Sequence, residues 1–432
     1  MSLKEKLSRS SNTTLAIYSA IVIFLLYTCC YGFRKPFTVA LYEGQTLWGF
    51  DLKIVFVLSE IIGYAVSKFI GTAILPGVKK NQRVFYIVGL LTFSELTWIG
   101  FGALPTVWKT VSVFLSGLPL GMIWGLLFSY IEGRKISEVV NVGLSAALIV
   151  ASGLVKTLGQ FLMNTFSLTE YWMPFVTGAV IFPLMLLLAY LLNQIPEPSN
   201  EDKKLRTERA PMTTGERNKF FKQFFFGICM LVLLYGSLTV FRELRDSFAA
   251  DLWKELNVKD TFIFTKTEYP IAFIVLALMF FTAFIPNNRL ALNILYIVAG
   301  IGGFLTIGVT VLYIYGYINP VWWMILSGLG MYMGYIPFSY LIERLIASLQ
   351  IVSTSVFILY LADSVGYLGT VSVYITKNFS EMNLSWNQML IYTAIITSVI
   401  AIASTFATYK YFRRQLNVMT IVPKLGEDNK RA

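Results

Sequence analysis

The chain has 432 residues, 56% hydrophobic and only 14% charged, with a mean hydropathy of +0.66. That is too apolar for a soluble domain of this length and points to a polytopic membrane protein. The net charge is +11, but the basic residues sit in short loops, so a positive-inside bias explains it and nucleic acid is not invoked.

No histidine occurs, which excludes an imidazole proton relay and a His-ligated metal. Cys29, Cys30 and Cys229 all fall in apolar runs and read as small packing residues, not as a metal motif or a disulfide framework. Residues Met1 to Asn12 are short and basic, and the apolar run after them is long enough to span and stay, so no cleaved signal peptide is expected.

Runs of about twenty apolar residues mark spanning helices. They are expected near Leu15–Leu41, Ile54–Leu75, Val84–Ala103, Thr110–Ile131, Val139–Asn164, Trp172–Leu192, Phe224–Leu252, Thr261–Phe284, Leu290–Tyr315, Pro320–Ile342, Ile351–Ile375 and Met389–Tyr411. The first and seventh are read as long helices, because their polar residues come only past mid-run. The expected fold class is an all-α membrane protein of twelve transmembrane helices.

Between Asn193 and Lys222 the pattern breaks. Pro196, Pro198 and the mixed charges from Glu201 to Arg209 read as a solvated linker. The expected domains are 1–192, a six-helix bundle, the linker 193–222, and 223–432, a second bundle with a short tail. Lys4, Lys6, Arg9, Lys79, Lys80, Arg83, Arg134, Lys135, Lys410, Arg413 and Arg414 all fall on the linker's side, which predicts cytoplasmic termini.

The halves repeat at a separation of roughly 210 residues. Leu115-Ser-Gly-Leu is echoed by Leu326-Ser-Gly-Leu, and Phe128-Ser-Tyr130 by Phe338-Ser-Tyr340. Phe33-Arg34 matches Phe241-Arg242, Ser59-Glu60 matches Thr267-Glu268, and Leu158-Gly159 matches Leu368-Gly369. A parallel repeat of six helices predicts the major facilitator fold, two pseudo-symmetric six-helix bundles with a site near the midplane. Gly117, Gly121 and Gly125, like Gly328, Gly330 and Gly334, read as close helix packing.

Charges inside apolar runs are the candidate functional residues, because they are costly in hydrocarbon. Arg34 is expected to share a helix face with Tyr27, Tyr31, Thr38 and Tyr42, its guanidinium fork matched to phosphate or carboxylate. The alternative is a structural cation paired with Glu43 or Glu60. Lys35 points roughly 100° away. Arg242 is the counterpart in the second half, beside Arg245, with an Arg242–Asp246 pair one turn apart as the alternative. Lys68 and Glu60 lie two turns apart on one side. Lys156 and Asp363 occupy corresponding places in the halves and are expected to pair with each other or with substrate. Glu60 and Glu268 are the candidates for proton coupling.

Tyr31-Gly-Phe-Arg34-Lys35-Pro-Phe37, with Tyr64-Ala-Val-Ser67-Lys68-Phe69-Ile70, resembles the organophosphate:phosphate antiporters of the major facilitator superfamily. Gly117-Leu-Pro-Leu-Gly121-Met-Ile-Trp124 and Gly366-Tyr-Leu-Gly369 are similar to that family's helix-four and helix-eleven signatures. The wording as a whole looks closer still to an uncharacterised bacterial family of major-facilitator-like proteins. The resemblance implies a secondary transporter that exchanges a phosphorylated metabolite for phosphate by alternating access. It implies substrate contacts from Arg34, Arg242 and Lys68. The chain departs from it in lacking a helix-five histidine and in the shortened loop Gly71–Gly77. The competing readings are a proton-coupled symporter of a carboxylate or neutral solute, and a membrane sensor with the transporter fold. All share no enzyme activity, no cofactor and no metal. The expected ligand is a small organic anion or phosphate, and the expected setting is a monomer in the lipid bilayer of the bacterial inner membrane.

Overall fold

The computed structural model describes residues 2–74, 78–130, 137–197, 214–283, 285–349, 355–379 and 384–428. Expectations placed on Leu75 to Gly77, on Arg134 and Lys135, and on the charges from Glu201 to Arg209 lie outside these residues. In chain order the helices are α1 (Leu3–Ser8), α2 (Asn12–Gly32), α3 (Leu52–Ile74), α4 (Arg83–Ala103), α5 (Thr106–Phe128), α6 (Ser137–Phe166) and α7 (Met173–Asn193). Then come α8 (Thr214–Gln223), α9 (Phe225–Ser247), α10 (Ala249–Glu255), α11 (Ile263–Ala283), α12 (Asn288–Ile314), α13 (Pro320–Tyr335), α14 (Phe338–Leu349), α15 (Ser355–Phe379) and α16 (Trp386–Asp428).

Among the described residues, 11 helices are long and apolar enough to cross a membrane, α13 and α14 counting together as Pro320–Leu349. Helix α3, of 23 residues and carrying Lys53, Glu60 and Lys68, matches them in length and accounts for the remaining expected span. The multi-pass all-α architecture is therefore the one the hydropathy pattern implies.

Three breaks depart from that pattern. The first span ends at Gly32, not Leu41, because Pro36 has no N–H to continue the ladder and instead opens a 3₁₀ turn, Pro36–Val39. Arg34 and Lys35 therefore sit on a turn, their amides donating to the Tyr31 carbonyl at 3.0 and 2.9 Å. They do not continue the helix face of Tyr27 and Tyr31 to Thr38 and Tyr42. The seventh span stops at Ser247, where Phe248 leaves helical geometry and stacks on Trp386 with ring centroids 3.8 Å apart. The tenth is divided at Pro337 into α13 and α14.

The chain divides into two compact units. The first holds Met1–Thr207 with Arg245–Leu276 and Tyr374–Asn387. In it α3 packs on α5, α2 on α6, and α4 on α5 and α7. After the 3₁₀ turn a hairpin pairs Thr46 with Asp51 and Leu47 with Phe50. Its turn residues Trp48 and Gly49 have φ of 55° and 80°, the paired positive values that match hairpin twist. Asn378 accepts from the Asp51 amide at 2.9 Å and donates to the Gly49 carbonyl at 3.0 Å. Glu255 caps α16 from outside, accepting from the amides of Trp386 and Asn387 at 2.8 Å each.

The second unit holds Glu208–Leu244, Ala277–Val373 and Gln388–Ala432. Here α12 packs on α13, and Tyr235 stacks on Tyr335 with centroids 4.7 Å apart. Asn319 and Asn287 accept amide hydrogen bonds at the starts of α13 and α12, so both helices begin with their first-turn donors satisfied.

Lipid supplies no hydrophobic push between helices, so their contact rests on close backbone approach. A Cβ on Gly117 would lie 2.7 Å from the Glu60 carbonyl, and one on Gly121 would lie 2.8 Å from Ser67 Oγ. One on Gly63 would strike the Phe114 carbonyl, and one on Gly330 the Gly302 carbonyl. Gly89 has nothing within 4 Å. Substituting Gly63 or Gly117 by Val is expected to cost about 1–3 kcal/mol through forced separation of α3 and α5. Thermal unfolding in detergent should show it as an earlier transition, with Gly89→Ala unchanged. Equal transitions for all three variants would contradict this packing.

Candidate functional site

Among the described residues, the buried ion pairs of the first unit come from charges inside or at the end of apolar runs. Arg34 is 5% exposed, and its Nε lies 2.5 Å from Glu60 Oε1. Lys35 is 1% exposed. Its Nζ lies 3.7 Å from Glu60 Oε2 and 3.5 Å from Asp246 Oδ2, so Glu60 and Asp246 share it. On α6, Lys156 Nζ donates to Asp246 Oδ1 at 2.5 Å and also to the Asp246 carbonyl. The Ser152 hydroxyl donates to the same carboxylate oxygen. Arg245 Nη1 donates to Glu268 Oε1 at 2.6 Å.

Glycine again allows the approach. A Cβ on Gly153 would lie 2.8 Å from the Phe264 carbonyl and 3.0 Å from the Glu268 side chain. One turn on, the hydroxyls of Thr157 and Thr265 meet at 2.7 Å. Thus α6 and α11 touch backbone to backbone beside Lys156. In this cluster four cations, Arg34, Lys35, Lys156 and Arg245, face three carboxylates, Glu60, Asp246 and Glu268.

A second feature adjoins it. Residues Glu60, Tyr64 and Lys68 succeed each other at one turn of α3, on one face. The Arg34 guanidinium carbon sits 4.1 Å from the Tyr64 ring centroid, and Lys68 Nζ sits 4.6 Å from the same centroid. Two cations therefore address one aromatic ring. Each such contact is worth about 0.5–2 kcal/mol, more as it is desolvated. Tyr27 and Tyr31 are buried on α2 with their rings edge to face, 5.7 Å apart.

The structure thus brings Arg34, Lys68, Tyr27, Tyr31, Lys156, Arg245, Glu60 and Glu268 into the first unit. Arg242 and Asp363 lie in the second. There Arg242 pairs with Glu243, and its guanidinium carbon lies 4.9 Å from the Tyr335 ring centroid. Two pairings expected from sequence are corrected. Lys156 was matched to Asp363, but the carboxylate that binds it is Asp246. Asp246 was also the alternative partner of Arg242, yet it is taken by Lys35 and Lys156, while Arg242 takes Glu243. Arg34 chooses Glu60, and Glu43 pairs with Lys254 instead.

Three residues were passed over in the sequence. Lys53 is 1% exposed and lies 2.5 Å from Asp251. Burial pushes the Asp251 carboxyl above its ordinary value, with the Lys53 ammonium opposing. Ser152 supplies the hydroxyl on Asp246. Glu95, 6% exposed in α4, has neither carboxyl oxygen hydrogen-bonded among the described residues, and it lies where a Cβ on Gly178 of α7 would be. Its signal was plain enough: an acid amid the apolar run Val84–Ala103.

The fold with its paired bundles of membrane helices is that of the major facilitator proteins. The chain belongs to the family of unknown function DUF5690, whose profile matches residues 36–415. No curated protein matches it in sequence. Among solved structures it is similar to a bacterial homologue of the human lysosomal transporter Spinster, inward-facing and unoccupied. The TM-score is 0.59 at 14% identity, over 94% of this chain and 98% of that one. It is similar to a D-xylose–proton symporter, TM-score 0.61 at 14% identity, over 93% and 98% of the two chains. It is similar to the nucleoside transporter NupG, TM-score 0.59 at 15% identity, over 92% and 99%.

Removing one partner of a buried pair strands the other charge, at a cost of about 3–5 kcal/mol. Asp246→Asn is therefore expected to destabilise the protein by about that amount, since Lys35 and Lys156 are left together. Lys156→Met in the same chain should return part of the loss. A double-mutant cycle on thermal unfolding measures this, and strictly additive losses would contradict the pairing.

Proposed function

We propose that the protein is a secondary transporter that carries a small organic anion across the membrane by alternating access. The ligand class is a phosphorylated metabolite exchanged for phosphate. One observation carries the reading: the described residues bring Arg34, Lys35, Lys156 and Arg245 into one buried cluster, with Arg34 and Lys68 meeting on Tyr64 at its edge. Cations gathered in low dielectric attract an anion that can bridge them. The guanidinium of Arg34 presents a donor fork, Lys68 a point charge, and Tyr64 an aromatic wall between them. Glu60 holds Arg34 and Lys35 in the ground state, and an incoming phosphate would compete with it for Arg34. Arg245, Lys156, Tyr27 and Tyr31 frame that site. The fold's relatives in structure are transporters by their names, which supports transport without naming the cargo. On this reading the linker and both termini face the cytoplasm of a bacterial inner membrane, and one chain suffices.

The test is exchange of labelled phosphate against organic phosphates in proteoliposomes, paired with thermal stabilisation of the purified protein. Organic phosphates should stabilise the wild type, and Arg34→Ala should weaken apparent affinity at least tenfold, about 1.4 kcal/mol. Absence of both binding and exchange for all phosphates and carboxylates, in well-folded protein, would sink the reading.

A second reading, proton coupling, is favoured by Glu95. An acid inside a membrane helix with no hydrogen-bond partner among the described residues is a functional candidate by default. It expects flux driven by a pH gradient alone and lost in Glu95→Gln at unchanged thermal stability. Exchange indifferent to the gradient would decide against it.

A further inference from the structure

A crevice of about 120 Å³ opens in the second unit between the start of α12 and the end of the membrane-spanning part of α16. Its walls are single helix faces. Arg289, Asn293 and Tyr296 follow each other at steps of four and three on α12, as do Tyr409, Arg413 and Asn417 at steps of four on α16. Two arginines and two asparagines thus line one small space. Arg413 Nη1 donates to the Tyr409 hydroxyl at 3.1 Å. The Tyr296 ring meets Tyr409 edge to face at 5.7 Å. Tyr296 itself is 4% exposed, and its hydroxyl has no hydrogen-bond partner among the described residues. A third cation, Arg344 of α14, reaches the same end of α12 by donating to Asn288 Oδ1 at 2.7 Å.

The crevice stands at the end of a lipid-facing stripe. Leu290, Ile297, Ile301 and Phe304 are exposed along α12, and Ile396, Val399 and Phe406 along α16. Donors at one end and an exposed apolar track running from it describe one amphiphilic ligand. We propose that this crevice binds the phosphate headgroup of an anionic phospholipid, with an acyl chain lying on the stripe. Arg289 and Arg413 grip the phosphate oxygens, Asn293 and Asn417 add neutral donors, and the Tyr296 hydroxyl gains the partner it lacks among the described residues. Basic pockets between membrane helices at one membrane face recognise headgroups in this way. The site is separate from the charge cluster of the first unit and does not depend on what that cluster carries.

The full-length protein, purified in a mild detergent, would be titrated with phosphatidylglycerol, phosphatidylcholine or inorganic phosphate while its thermal unfolding is followed. Phosphatidylglycerol should raise the transition by several degrees, because a ligand bound only to the folded state stabilises it by mass action. Phosphatidylcholine should not. The shift should vanish in Arg289→Gln/Arg413→Gln and persist in Arg414→Gln, an exposed neighbour outside the crevice. Tyr296→Phe, which removes one hydroxyl and keeps the ring, should reduce it and serves if the double variant fails to fold. An unchanged shift in these crevice variants, or an equal one with phosphatidylcholine, overturns the proposal. An arginine-dependent shift of the same size from inorganic phosphate also overturns it, in favour of a free-anion site.

Discussion

Asp246 is the residue on which the first unit turns. It is a carboxylate from the second sequence half set between Lys35 and Lys156 from the first. Taking any one of these charges out of water costs several kcal/mol, and only good geometry with further hydrogen bonds offsets that. The site meets the requirement: Asp246 accepts from the Lys156 ammonium and the Ser152 hydroxyl, and its own carbonyl accepts from Lys156 as well. These partners hold the end of α9 against α6 and the turn that follows α2. The neighbouring Arg245–Glu268, Lys53–Asp251 and Lys254–Glu43 pairs then follow the chain through α10 and α11. Those outer pairs differ in worth. The Lys254–Glu43 pair is exposed and contributes little, whereas the buried ones are costly to break.

The glycines and the charges belong to one design. Gly117 of α5 leaves room for the backbone of α3 at Glu60 itself, the residue that receives Arg34. Gly121 does the same one turn on at Ser67, beside Lys68. Gly153 on α6 admits α11 at Glu268, one turn from Lys156. Close packing therefore occurs where charges must be aimed, and a widened helix contact would displace the carboxylates as well as the packing. In lipid, where apolar surface gains nothing by leaving solvent, this is the available way to fix a polar site to within a fraction of a turn.

Much of the architecture was legible in the chain. Hydropathy and a constant repeat offset gave the spans because backbone groups in lipid must be satisfied within each helix, which leaves few alternatives. Helix ends were less legible. Pro36 and Pro337 were visible signals that the apolar pattern overrode, while the break at Phe248 depends on Trp386, far away in sequence. The charged residues were legible as a set, since each stood out in an apolar run. Their partners were not. Arg242, Glu243, Arg245 and Asp246 lie within little more than one turn, so a rotation of about 100° per residue decides which carboxylate meets which cation. Sequence spacing offered Arg242 with Asp246 as the alternative to a ligand role. The fold gives Glu243 to Arg242 and Asp246 to the lysines.

The arrangement around Tyr64 joins these charges to the face of α3. Glu60, Tyr64 and Lys68 stand one turn apart on α3, with Arg34 reaching both Glu60 and Tyr64. A cation that divides its contacts between a carboxylate and a ring face is held less tightly than one in a two-pronged salt bridge. On the anion reading proposed above, a ligand entering beside Lys68 would compete with Glu60 for Arg34. Lys35, which Glu60 shares with Asp246, would then take a larger share of the released carboxylate. The pairs thus form one chain, from Arg34 through Glu60 to Lys35 and on to Asp246. The physical basis is that carboxylates in low dielectric redistribute between nearby cations far more strongly than they would in water.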